Sequence, residues 1–96
     1  MTPTAPTVTV SLSAFEKPLI IRLLAEMNAA SRCPAVWAAL AVDGLSIVLP
    51  RDTGEQLREW LLEAAAVRMQ SAVIEIRRDG QALGRAATAI GAALSA

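Results

Sequence analysis

Two Asp-Gly steps punctuate the chain, Asp43-Gly44 and Asp79-Gly80, and each follows an apolar run. Asp-Gly readily takes the positive backbone dihedrals of a tight type I′ turn, so between apolar runs it signals a hairpin. The first step lies between Ala35–Val42 and Leu45–Leu49. Around the two steps the chain nearly repeats itself, and that repeat narrows the possible architectures more than any other feature.

Thr7 to Leu12 alternate polar and apolar. This is the period of a half-buried strand with Val8, Val10 and Leu12 inward. Ser13 stands three residues before Glu16, the spacing of a capping box. A helix is therefore predicted from about Ala14 to Ala30, with Pro18 in its first turn and Leu19, Ile20, Leu23, Leu24 and Met27 buried.

The run Ala35–Val42 reads two ways. Its alanines, and Pro34 before it, favour a short helix. The Asp43-Gly44 step and the strand-like Leu45–Leu49 favour a hairpin, and the hairpin is the preferred reading. Pro50 ends that strand. Asp52 and Glu55 repeat the capping-box spacing, and a second helix is predicted to about Gln70, with Leu57, Trp60, Leu61, Ala64 and Ala65 inward. Ser71 to Arg77 alternate again, with Ala72, Ile74 and Ile76 on one face. After Asp79-Gly80, the residues Leu83, Ala86, Ala87, Ile90 and Leu94 sit at helical spacing and predict a last helix over Leu83–Leu94.

The predicted class is α+β. Strand, helix, strand, strand, helix, strand is the order of two split βαβ halves, which form a ferredoxin-like βαββαβ sandwich. An antiparallel sheet would carry both main helices on one face, with an extra C-terminal helix. Residues 1–6 read as a disordered tail and residues 7–96 as one domain.

Composition limits the function more than it identifies one. The 96 residues are 54% hydrophobic and 19% charged, which is unusually apolar for a small monomer. Small domains bury modest cores, so a second subunit is an expected way to cover apolar surface. Nine basic and nine acidic residues cancel. Without clustered Lys and Arg to neutralise phosphates, nucleic-acid binding is not expected. No apolar stretch reaches the roughly 20 residues needed to cross a bilayer. No signal peptide opens the sequence, and the lone Cys33 suits a reducing compartment, so a cytoplasmic location is expected.

Catalysis is poorly supplied. The chain has no His, and with it go the commonest general base and the Ser–His and Cys–His pairs. Cys33 follows Arg32 but reads as a half-buried loop thiol. Asp52, Glu55, Glu59 and Glu63 share a stripe of the second helix, which reads as a solvated face rather than a metal site. No enzyme activity, cofactor or metal is expected. Arg77, Arg78 and Arg85, with Arg68 near, are candidate contacts for an anion or an acidic partner. Trp37, Val48, Val73, Leu83, Ile90 and Leu94 are candidate interface residues, on the open sheet face or on the C-terminal helix. The expected function is a protein-interaction or oligomerisation module, acting as a homodimer or on a protein partner.

Two resemblances offer alternatives. Val8-Thr9-Val10-Ser11-Leu12, a helix, Ser31-Arg32 and then Val36–Leu40 resemble a ribbon-helix-helix repressor. That implies a dimeric DNA-binding regulator in which Thr9 and Ser11 would read the major groove. The ribbon lacks the Lys or Arg that members commonly carry. Leu57-Arg58-Glu59-Trp60-Leu61, followed by Val73-Ile74-Glu75-Ile76-Arg77-Arg78-Asp79-Gly80, resembles the end of effector-associated adaptor domains of bacterial conflict systems. That implies a link between sensor and effector proteins.

Overall fold

A two-stranded ribbon backed by helices is what the chain builds. The computed structural model describes residues 6–95, the side chains of residues 29 and 30 excepted. The expected tail, residues 1–6, lies outside the described residues except for Pro6. In chain order the elements are β1 (Thr7–Ser11), α1 (Glu16–Glu26), α2 (Ala29–Arg32), α3 (Pro34–Ala41), β2 (Ser46–Pro50), α4 (Arg51–Met69) and α5 (Ile74–Ser95).

β1 pairs antiparallel with β2 in a register that sets Thr9 opposite Val48. Val8, Val10, Ile47 and Leu49 point into the core, while Thr7, Thr9, Ser11, Ser46 and Val48 face solvent. The period-2 alternation thus does what it predicts. The capping box also forms: the Glu16 N–H donates to Ser13 Oγ (3.0 Å) and the Ser13 N–H to Glu16 Oε2 (2.8 Å). Two orphan donors at the start of α1 are thereby satisfied. α1 stops at Glu26, and Asn28 follows with φ 56°, a left-handed conformation that Asn tolerates.

The ferredoxin-like sandwich is not the fold. The sheet has two strands rather than four, and the chain is mostly helical, α+β only in the broad sense. Ala35–Val42 is the first point of departure. It forms α3, with Pro34 in the first turn and Val36 and Leu40 buried. Helix propensity and a pre-set proline φ prevail because a helix satisfies its backbone internally. Asp43-Gly44 still turns the chain, with Gly44 at φ 99°, but it joins a helix to a strand. Lys17 Nζ holds this turn by donating to the carbonyls of Val42 (2.6 Å) and Gly44.

Ser71–Arg77 is the second departure. Ser71 Oγ accepts the Val73 N–H (3.1 Å), and α5 starts at Ile74. Asp79-Gly80 is no turn at all; it lies inside α5. Gly80 is buried where α5 crosses α4, and a Cβ there would stand 3.0 Å from Arg68 Cβ and 3.1 Å from the Ala65 carbonyl oxygen. The glycine serves close helix approach rather than a positive φ. The second capping box does not form either. α4 begins at once after Pro50, and Asp52 Oδ1 accepts the Thr53 N–H (2.9 Å).

α4 and α5 form a long antiparallel hairpin, the most extensive packing in the molecule. Leu57, Leu61 and Ala65 meet Leu83, Ala86, Ala87 and Ile90 along it, all buried. At its base a Cβ on Gly54 would touch Val8, Ile90 and Leu94, so the ribbon docks there. α1 lies beside α5, tied by Arg22–Asp79 (3.8 Å) and Arg85–Glu16 (3.7 Å). The molecule is elongated, 54 × 28 × 22 Å. Among the described residues no helix is long and apolar enough to cross a membrane.

Candidate functional site

The expected interface residues scatter. Leu83, Ile90 and Leu94 are buried in the chain's own core, where they cannot meet a partner in the folded state. Trp37 sits half-buried on α3, packed on the core, beside a small apolar hollow it shares with Ile21, Leu40 and Ala41. Val48 is exposed on the outer face of β2, and Val73 is exposed just before α5. Trp37 and Val73 do not belong to the sheet, so the open face reduces to Thr7, Thr9, Ser11, Ser46 and Val48.

The arginines separate as well. Arg77 and Arg78 are exposed in the first turns of α5, around a shallow hollow with Ile74 and Gln81. Arg85 lies two turns further on, about 11 Å along the axis, and pairs with Glu16. Arg68 donates from Nη1 to the Ala64 carbonyl (3.3 Å). A four-arginine cradle is therefore not assembled.

Arg32, at the end of α2, and Cys33 after it face the base of α4. The Arg32 guanidinium stands 5.7 Å from the centre of the Trp60 ring, within cation–π range. Cys33, Asp52, Thr53 and Gln56 line the same open hollow. Asp52, Glu55, Glu59 and Glu63 are all exposed along the outer side of α4. Among the described residues no three His, Cys, Asp or Glu side chains converge as metal ligands would.

Exposed apolar side chains do occur on both sides of the turn between α4 and α5, at the far tip of the hairpin. Val67 is 70% exposed and Ile74 68%, and Met69, Val73 and Ile76 are exposed beside them. Leu62 extends the patch toward a shallow groove between α4 and α5, floored by Ala65, Gly80 and Gly84. α1 supports the hairpin as far as the Arg22–Asp79 pair, and Ile74 lies five residues, about 7.5 Å of helix, beyond it. Alternation over Ser71–Arg77 put Ile74 and Ile76 on one face of a strand, whereas both are exposed in the first turn of α5. The available signal was Val67, which stands off the Leu57–Leu61–Ala65 stripe and so must face outward from the helix.

In the ribbon, β1 finds its partner in β2 of its own chain, leaving Thr9 and Ser11 on an exposed surface. The chain matches no family model, and no curated protein or solved structure matches it.

Proposed function

We propose that this chain is a small non-catalytic protein-interaction module that works in the cytoplasm as a homodimer and on a protein partner. The apolar hairpin tip carries the reading. Large apolar side chains kept in water together at one end of a small domain are the usual mark of a contact surface. Each contributes about 1.5–3 kcal/mol when fully buried, and several together are needed to offset the entropy of association. The lack of any His and the solvated state of the α4 carboxylates support a binding rather than a chemical role.

Site-specific photo-crosslinking in the native cell tests this. A benzophenone side chain in place of Ile74 should trap one or a few discrete protein products. The same group in place of Glu59, on the solvated side of α4, should trap none. Absence of a discrete product at position 74 would overturn the proposal.

A further inference from the structure

The edge of β1 that faces away from β2 has no partner among the described residues, and the proposed role leaves it unused. The Leu12 N–H donates to the Leu45 carbonyl (2.9 Å), and the Arg51 N–H donates to the Pro6 carbonyl (3.0 Å). Hydrogen-bonded pairs alternate along an antiparallel ladder. Val8 and Val10 therefore bond to Leu49 and Ile47, while the N–H and C=O groups of Thr7, Thr9 and Ser11 point away from β2. No described residue bonds to those groups.

Natural edge strands refuse partners by means of Lys, Pro, a bulge or an overlying element. β1 contains no charged residue, no Pro and no bulge, and its outward side chains are exposed. The edge of β2 differs, because it includes Pro50, which has no N–H to offer. Only β1 presents an uninterrupted row of donors and acceptors.

We infer that β1 pairs antiparallel with β1 of a second copy, about a two-fold axis through Thr9, to give a continuous four-stranded sheet. The strand is complementary to itself in three respects. Thr9 meets Thr9 of the other copy and Thr7 meets Ser11, all with ladder groups facing outward, for about six backbone hydrogen bonds. On the inner face Val8 comes opposite Val10, so the two apolar cores adjoin. Hydroxyl side chains line the outer face, and the uncharged strand brings no like charges together, which a Lys- or Glu-bearing strand would do on self-pairing. A five-residue strand spans about 17 Å. That contact is smaller than a standard interface, so a dissociation constant in the roughly micromolar range is expected. Dimerisation at the ribbon would leave both hairpin tips free, giving a bivalent module whose avidity exceeds the affinity of one tip. This deepens the homodimer reading above and rests on it.

Sedimentation equilibrium of the full chain from 1 to 500 μM tests it, through charge reversal at one exposed position. The wild type should dimerise. Thr9→Lys and Thr9→Glu should each remain monomeric with unchanged circular dichroism, because the altered side chain leaves the β1–β2 ladder intact. Mixed in equal amounts, the two variants should associate again, since opposite charges then meet across the axis. Ile74→Asp, at the tip, should dimerise like the wild type. A monomeric wild type at the highest concentration overturns the inference, while position-74 crosslinks to another protein would keep the interaction reading. Dimers that persist in both Thr9 variants, or that Ile74→Asp abolishes, overturn it as well and place self-association elsewhere. Failure of the mixed variants to associate would exclude the two-fold through Thr9.

Discussion

Gly80 and Arg68 are in backbone-level contact where α5 crosses α4: a Cβ on the glycine would stand 3.0 Å from the Cβ of Arg68. The Ala65 carbonyl oxygen and the Met69 nitrogen lie nearly as close, at 3.1 and 3.2 Å. Backbone atoms of a packed helix cannot step aside as the end of a flexible side chain can. Gly80→Ala should therefore destabilise the fold by about 1–2 kcal/mol, the overpacking cost exceeding the gain in helix propensity. Gly84→Ala, one turn on, is the counter-case. Nothing lies within 4 Å of its Cβ position, so it should stabilise by about 0.5–1 kcal/mol. Urea denaturation of the two variants should give midpoints that move in opposite directions.

The reciprocal capping of Ser13 and Glu16 joins the end of the ribbon to α1. Ser13→Ala removes the acceptor of the Glu16 N–H and should cost about 1 kcal/mol. A double-mutant cycle with Glu16→Ala should return a favourable coupling, because each side chain satisfies the other's backbone donor. Additive effects would show that the box is not coupled in solution.

Truncation should distinguish core from tip. Ile90 is fully buried between α4 and the ribbon, and Ile90→Ala should cost about 2–5 kcal/mol through lost burial and a cavity. Ile74→Ala should change stability by less than about 0.5 kcal/mol, since the side chain stays in water in the folded chain. Thermal or chemical unfolding of both variants measures the contrast. Equal losses would mean that the tip is packed.

Trp60 reports on the loop opposite. Arg32→Ala removes the cation above its ring and should cost no more than about 0.5–1 kcal/mol, because the guanidinium is exposed to solvent while the ring is only half-buried. A shift in tryptophan emission, with Trp37 unaffected on α3, is the expected signature. An unchanged spectrum would place Arg32 away from the ring in solution.

Local patterns in the chain determined a good part of the fold. Alternation over Thr7–Leu12 specified a strand and its inward face. Ser13 and Glu16 specified where α1 starts. Helical spacing specified the buried stripes of α4 and α5, from Leu57 and Leu61 to Leu83 and Ile90. Each of these signals is complete within a few residues. What tertiary structure decided was every feature whose meaning depends on a distant neighbour. A strand needs a partner for its backbone groups, and Ala35–Val42 and Ser71–Arg77 have none, so most of the first lies in α3 and the second is a short turn followed by the first turn of α5. Asp43-Gly44 and Asp79-Gly80 are identical as dipeptides. One turns the chain with Gly44 at φ 99°, and the other lets two helices touch. The exposure of Val67 and Ile74 is of the same kind, because whether an apolar side chain is covered depends on which distant elements pack over it.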